Sequence, residues 1–145
     1  MTLRDETTHA PSAADRAAVL EGLQAFIAAV TPGISWDYRP LAALLRDGEG
    51  GVVLGGLIGR TAAGWLYVEL LHVPEPTRGA GHGARLLAGA ETEARARGCI
   101  GARLDTYSFQ ARGFYERLGY TVTGAIDDCP PGHTRWSMAK RLDRG

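Results

Sequence analysis

A short glycine-rich segment, "TRGAGHGARLL" at residues 77–87, has a composition suited to binding an anion. Arg78 precedes glycines at positions 79, 81 and 83, and a run of helix-forming residues follows. At the start of a helix the backbone N–H groups lack an intrahelical acceptor, and the helix dipole adds partial positive charge. Glycines let the backbone approach a phosphate without intervening Cβ atoms. The segment therefore predicts a phosphate site, with a plain flexible turn as the alternative.

Two familiar phosphate motifs fit this segment poorly. Residues 79–84 satisfy the dinucleotide pattern G-x-G-x-x-A, and Asp105 ends the next predicted strand, where a ribose ligand is expected. In that motif the first glycine follows its strand almost at once, whereas Pro74 to Arg78 intervene here. The chain after Asp105 is also too short to complete a doubly wound domain. The Walker pattern fails because no Gly-Lys-Ser/Thr follows the glycines.

The hydrophobic pattern predicts the elements that position this segment. Leucine, isoleucine and valine recur at helical spacing over 13–30, and Ser12 has the residue type of an N-cap. Residues 39–73 are typical of three strands in series, with hairpin breaks at 47–50 and 61–64. The remaining predicted elements are a helix over 81–97, a strand over 99–106, a short helix over 108–119, a strand over 120–126, a loop over 127–132 and a last strand over 133–142.

This order predicts the fold class. A helix and an antiparallel meander lead into one strand–helix–strand crossover, which is followed by a helix and a hairpin. The crossover makes the strands at 65–73 and 99–106 parallel neighbours. We therefore expect a mixed α/β fold in one domain, residues 1–145, with a mostly antiparallel sheet that contains one parallel pair.

Two motifs in the second half of the chain resemble the signatures of the GNAT family of N-acetyltransferases. Arg78-x-x-Gly81-x-Gly83 is similar to that family's acyl-CoA signature, R/Q-x-x-G-x-G/A. "ARGFYERLGY", residues 111–120, is similar to its second signature, an alanine followed by an F-Y-x-x-x-G-[FY] run. The resemblance is strong over 65–142, and the N-terminal half matches only in the order of its elements.

The resemblance implies acetyl-CoA as co-substrate, bound where the parallel strands splay apart. In the family, loop amides hold the pyrophosphate, and strand main-chain groups pair with the pantetheine arm. Many members place an asparagine three residues before the alanine of the second signature, and here that position is Ser108, which reaches less far. The residues that the resemblance assigns to cofactor binding are Leu71, Val73, Arg78, Gly79, Ala80, Gly81, His82, Gly83 and Ser108.

Tyr115 is the predicted general acid. Acetyl transfer from a thioester releases a thiolate, which gains from a proton. A thiol has a pKa of about 8.5 and a phenol of about 10, so tyrosine is protonated at neutral pH and can donate. Tyr115 stands at the position of the family's acid, and this resemblance favours the acid role over the alternative of a core aromatic beside Phe114.

The general base is left open among several groups. Glu69 is an acid inside the otherwise apolar strand "WLYVELLHV", close to the predicted cofactor strand, and it is the first choice. An exposed position or a salt bridge would explain it as well. His72 alternates to the opposite face from Glu69. Asp105, His133 and a water molecule are further alternatives.

The acceptor site is predicted between "SWDYRP" at 35–40 and "DDCPPGH" at 127–133. Aromatic rings and carboxylates in these segments suit a cationic amine, although ordinary surface loops are the alternative. The resemblance favours a small-molecule amine acceptor, attacked directly in a ternary complex. A protein lysine or N-terminal acetyltransferase, or a non-catalytic acyl-CoA sensor, is the alternative.

Composition narrows the function classes. Sixteen basic and sixteen acidic residues give a formal net charge of zero, so a nucleic-acid or anionic-membrane surface is not expected. The two cysteines have no metal-ligand spacing, no metal site is expected, and no apolar run is long enough to span a bilayer. We therefore expect a cytoplasmic protein, with a homodimer as a possibility known from the family.

Overall fold

A computed structural model describes residues 1–144 of the chain. Its backbone contacts divide the chain into two compact units, residues 1–36 and 37–145. The first unit contains helix α1, Ala13–Val30. The Ser12 hydroxyl accepts a hydrogen bond from the Asp15 amide at 3.0 Å, and the Asp15 carboxylate accepts one from the Ser12 amide at 2.8 Å. This capping box starts the helix at the predicted residue.

The second unit is built on a six-stranded mixed sheet in the order β1-β2-β3-β4-β6-β5. Within residues 1–144, only β3 and β4 are parallel neighbours, and every other adjacent pair is antiparallel. The predicted fold class is therefore confirmed. The strands are β1 (Arg39–Arg46), β2 (Val53–Ala62), β3 (Trp65–His72), β4 (Gly101–Tyr107), β5 (Thr121–Asp127) and β6 (Thr134–Arg141).

The parallel pair separates halfway along its length. Its pairing runs from Trp65 with Gly101 to Val68 with Leu104 and then stops, although both strands continue. Backbone groups beyond that point have no partner across the gap. The family resemblance implies such a splay between the two parallel strands.

A bulge in β3 lies next to this splay. Ile58 of β2 pairs with Leu70, whereas the next residue, Gly59, pairs with Val68, so Glu69 is the extra residue. The bulge shifts the alternation of side chains along the strand. Val68 lies in the core, and after the bulge Leu71 packs against the same core. An acid is tolerated at position 69 because its side chain is exposed, next to the buried Val68 in the alternation of the strand.

Two helices pack against the core side of the sheet. Helix α2 spans His82–Ala96 and buries one apolar stripe, and helix α3 spans Arg112–Arg117. A 3-10 turn, Glu75–Thr77, connects β3 to the glycine loop. The fully buried side chains of the core include Leu57, Leu66, Leu87, Tyr120 and Met138.

The turns differ in detail from the predicted breaks. The β2–β3 connection is a two-residue turn at Ala63 and Gly64, both with positive φ, so residues 61 and 62 belong to β2. None of the helices within residues 1–144 has the length and apolar character needed to cross a bilayer.

Candidate active site

A cleft of about 710 Å³ lies beside the splay and the glycine loop. Its volume falls in the range of about 300–1,000 Å³ that is usual for small-molecule sites. Its ionisable lining is made of histidines, arginines and one tyrosine, and no carboxylate of residues 1–144 lines it. The cleft therefore suits an anionic ligand. Its lining includes Leu71, Val73, Arg78, Gly79, Gly81, His82, Gly83, Thr106, Phe109, Gln110, Phe114, Tyr115 and Arg117.

The glycine loop forms the N-terminal end of α2. Gly81 is the N-cap in the left-handed conformation, with φ of +81°, which a side chain at this position would disfavour. No described side chain caps this end of the helix, and its first turn contains no acid. The first intrahelical bond runs from the Arg85 amide to the Gly81 carbonyl, so the N–H groups before it remain free for a ligand.

Gly83 has a second reason for being glycine. A Cβ built there would lie 3.1 Å from the ring of Phe114, so the first turn of α2 approaches α3 closely. Gly83 thus serves helix packing as well as the cleft. The sequence motif assigns it to phosphate binding alone.

Arg78 organises the end of the splayed strand. Its Nε donates a hydrogen bond to the Val73 carbonyl at 3.0 Å. Leu71, Val73 and Arg78, three of the residues expected to bind the cofactor, all line the cleft. Ala80 lies in the same loop but does not line the cleft.

Tyr115 lies where the cleft meets a second, smaller cavity of about 250 Å³ inside the splay. Leu71, His72 and Gln110 line both cavities as well. Burial raises the pKa of the Tyr115 phenol above its ordinary value, because low polarity disfavours the phenolate. The tyrosine is therefore held protonated at a junction between two openings.

Glu69 lines the smaller cavity from the β3 side of the splay. Its carboxylate lies 3.8 Å from the Arg60 guanidinium, and its side chain is 52% exposed. An ion pair of this length and exposure binds weakly. Glu69 is thus a half-exposed carboxylate that lines the same small cavity as Tyr115 and has only a weak ion-pair partner.

Asp105 lines the same cavity from the β4 side, with a different bonding pattern. Its carboxylate accepts hydrogen bonds from Arg135 at 2.8 Å, Ser137 at 3.0 Å and Tyr67 at 3.3 Å. The Tyr67 ring itself lies between two guanidinium groups, with Arg60 at 4.8 Å and Arg103 at 4.4 Å. Asp105 is therefore the centre of a polar network that joins β4 to β3 and β6.

Ser108 is turned to a different partner from the one that the resemblance suggests. Its hydroxyl lies 3.2 Å from His133 Nδ1 and accepts a hydrogen bond from the Thr134 amide at 3.0 Å. Neither Ser108 nor His133 lines the two cavities. Phe109 stacks on Tyr107 and meets the His133 ring edge-on, so this corner is an aromatic cluster at the end of β4.

Two cavity residues are not predicted by any sequence pattern. Thr106 is buried, with 1% of its surface exposed, and its hydroxyl lies 3.4 Å from Gln110 Oε1. The Tyr107 amide donates to the same amide oxygen. A buried threonine among apolar strand residues and a glutamine before the helix carry little signal in isolation. Within residues 1–144 no cluster of three His, Cys, Asp or Glu side chains is placed to hold a metal ion.

Comparison with known proteins identifies the family. The model of the acetyltransferase (GNAT) family matches residues 17–120. The chain therefore belongs to the GNAT family, and the protein is an acetyltransferase with acetyl-CoA as its co-substrate, as the sequence predicts.

The chain is similar to particular members of this family. It is 47% identical over 109 residues to blasticidin-S acetyltransferase of Streptomyces morookaense, an alignment that covers 73% of this chain and 80% of the relative. It is 47% identical over 106 residues to acetyltransferase Atu2258 of Agrobacterium fabrum, covering 73% and 77%. The crystal structure of an acetyltransferase from Bacillus cereus superposes with a TM-score of 0.84 at 26% identity, covering 94% of this chain and 97% of that chain.

Proposed function

We propose that the protein transfers the acetyl group of acetyl-CoA to a primary amine of a small molecule, by direct attack in a ternary complex. The observation that carries this proposal is the position of Tyr115, at the junction of the basic cleft and the cavity that Glu69 lines. The cleft suits the phosphates and arm of acetyl-CoA. The smaller cavity, which shares Tyr115 with the cleft, is where the acceptor amine reaches the thioester in this proposal.

The roles of the residues follow from their bonding. Glu69, directly or through a water molecule, accepts a proton from the acceptor ammonium, and the amine nitrogen then attacks the thioester carbonyl. The new C–N bond forms, the C–S bond breaks, and the thiolate takes the proton of the Tyr115 phenol. The nitrogen gives up its second proton to water, a proton from water restores the Tyr115 phenol, and Glu69 releases its proton to solvent. General acid and base steps of this kind each contribute about 10²–10⁴-fold.

The acetyl donor binds, in this proposal, to residues in and beside the loop. The free N–H groups at the start of α2 and Arg78 hold the phosphates, and main-chain groups of Leu71 and Val73 pair with the pantetheine arm. Gly79, Ala80, His82 and Gly83 complete the loop. Ser108 is the remaining residue that the family resemblance assigns to cofactor binding, and its hydroxyl is bonded to His133 and the Thr134 amide.

A small antibiotic is the first acceptor class to test. The relative from Streptomyces morookaense is named for blasticidin S, and its 47% identity supports a similar acceptor here. Two free cysteines support a cytoplasmic location, and a homodimer remains a prediction that sedimentation can test.

Calorimetry followed by a turnover assay tests the proposal. Acetyl-CoA and CoA should bind, and NADH should not. Thiol release should then be followed with blasticidin S, an aminoglycoside and a lysine peptide as acceptors. Turnover with a small amine supports the proposal. Turnover with the peptide alone would reassign the acceptor, and binding without any turnover would indicate a sensor.

A further inference from the structure

A buried polar network lies behind Tyr115, outside both cavities. Glu91 on α2 is 5% exposed and accepts hydrogen bonds from the Tyr120 hydroxyl at 2.7 Å and the Lys140 ammonium at 2.9 Å. The Lys140 ammonium also lies 5.6 Å from the centre of the Tyr120 ring. Glu91 lies on α2, Lys140 on β6 and Tyr120 directly before β5, so one carboxylate joins three parts of the fold.

Such a network requires a reason, because a buried ion pair is seldom the most stabilising choice. Desolvation of the two charges offsets much of their attraction, and well-packed apolar residues often stabilise as well or better. Glu91 interrupts an apolar stripe of α2 formed by Leu87, Ala90 and Ala94. That interruption is visible in the sequence and is the signal that could have revealed the network.

Tyr120 is tied to Tyr115 in two ways. Its backbone N–H donates to the Tyr115 carbonyl at 3.0 Å. Its ring meets the Tyr115 ring edge-to-face, with centroids 6.0 Å apart and planes at 71°. Phe114 meets Tyr115 in the same manner at 5.1 Å. The orientation of Tyr115 therefore depends on where the Tyr120 ring lies.

The turn between α3 and Tyr120 is also packed against this network. Gly119 has φ of +96°, and a Cβ there would lie 3.3 Å from the Lys140 stem. Lys140 therefore lies directly over the turn that ends the helix of Tyr115. The same α2 that carries Glu91 begins at the glycine loop, so α2 connects the network to that loop.

We infer that Glu91, Tyr120 and Lys140 are positioning residues. They hold the Tyr115 hydroxyl at a fixed position relative to α2, the helix whose N-terminal end binds acetyl-CoA in the proposed function. Glu91 fixes the Tyr120 hydroxyl, the Tyr120 ring and amide fix Tyr115, and Lys140 neutralises Glu91. None of the three touches substrate. The inference rests on the proposed function, because it concerns the acid of that reaction.

A double-mutant cycle tests this role. Tyr120→Phe keeps the ring and the backbone N–H but removes the bond to Glu91. We expect kcat to fall about tenfold, since small misplacements at a reacting centre are costly, while the KM for acetyl-CoA stays within about twofold. In a Tyr115→Phe background, Tyr120→Phe should cause no further fall, because it acts only through Tyr115.

A matched control separates positioning from loss of stability. Thr61→Val also removes a buried hydroxyl, since Thr61 Oγ1 accepts a hydrogen bond at 3.1 Å from Arg97, the C-cap of α2 at the opposite end from the glycine loop. It should lower the melting temperature without changing kcat. A Tyr120→Phe variant that lowers only the melting temperature, or that lowers kcat equally in both backgrounds, would overturn the inference.

The outcomes also distinguish this inference from the proposed function. If Tyr115→Phe loses activity and Tyr120→Phe does not, only the positioning role is overturned. If Tyr115→Phe keeps the wild-type kcat, the acid role is wrong and the positioning role falls with it. If none of the tested amines is acetylated, NMR of the CoA-bound protein tests the inference instead. Tyr120→Phe should weaken the NOE contacts between the Tyr115 and Phe114 rings. Unchanged NOE contacts would overturn the inference.

Discussion

The two carboxylates on either side of the splay, Glu69 and Asp105, offer an instructive comparison. Both line the same small cavity, one from β3 and one from β4. Glu69 is half exposed and has one distant ion-pair partner, at 3.8 Å. Asp105 accepts hydrogen bonds from three side chains at 2.8–3.3 Å. Residues of similar chemistry in one cavity can therefore have opposite roles, and their bonding distinguishes them.

The bonding pattern indicates a role for each carboxylate. A base must have a lone pair free for the incoming proton, and the half-exposed Glu69 carboxylate has only a distant ion-pair partner. Asp105 uses its lone pairs to join β4 to β3 and β6, where the backbone pairing between β3 and β4 has stopped. We interpret Glu69 as a group for chemistry and Asp105 as a group that holds the open end of the splay.

Replacing Glu69 should have the largest effect on rate. Glu69→Gln removes the base but keeps the size of the side chain, so kcat/KM at pH 7 should fall about a hundredfold. The melting temperature should hardly change, since the Arg60 ion pair is weak. Thiol-release kinetics and thermal melts measure the two effects. A variant with the wild-type rate would remove Glu69 from the mechanism.

Replacing Asp105 should lower the melting temperature strongly and the rate only slightly, the opposite of replacing Glu69. Asp105→Asn leaves Arg135 without its charged partner and replaces one of the two acceptor oxygens with an NH2 donor, so the bonds from Arg135, Ser137 and Tyr67 cannot all be kept. We expect the melting temperature to fall by about 5 °C, with a rate loss well below that of Glu69→Gln. Differential scanning calorimetry and the same kinetic assay check this. A hundredfold rate loss with an unchanged melting temperature would exchange the roles of the two carboxylates.

Cofactor affinity should be independent of both carboxylates and dependent on the loop. Gly81→Ala places a side chain at φ of +81°, which should weaken CoA binding about fivefold through backbone strain. The matched control is Gly89→Ala in the same helix, where a Cβ meets nothing within 4 Å. Calorimetric titration measures both. Equal affinities in the two variants would contradict the anion-binding role of the loop.

The smallest effect is expected from alkaline pH. Burial raises the pKa of Tyr115 above the ordinary phenol value of about 10, so the acid stays protonated throughout the neutral and mildly alkaline range. The rate should change less than about twofold from pH 8 to 9.5 at saturating substrates and fall only above the raised pKa. A decline that begins near pH 8 in the wild type and is absent in Tyr115→Phe would contradict this assignment.

Local sequence patterns predict much of this protein. The order of elements follows from hydrophobic periodicity and turn residues, and it implies one parallel pair because a single crossover joins β3 to β4. The glycine loop and the Tyr115 motif are short local patterns, so the family and the co-substrate are predictable from them. The predicted β2–β3 turn begins two residues before the observed turn at Ala63 and Gly64, because Thr61 and Ala62 suit a strand or a turn equally well.

The amino-acid sequence alone predicts the fold class, the glycine loop at the start of α2 and the choice of Tyr115 as the candidate general acid. Three further features depend on the folded chain: the different bonding of Glu69 and Asp105, the contact of Ser108 with His133, and the network of Glu91, Tyr120 and Lys140 behind Tyr115. The physical reason is how far apart in the chain the interacting residues lie. Helix caps, turns and glycine loops depend on neighbours a few residues away, whereas Glu91 and Lys140 are 49 residues apart in the chain and become partners only when α2 packs on the sheet.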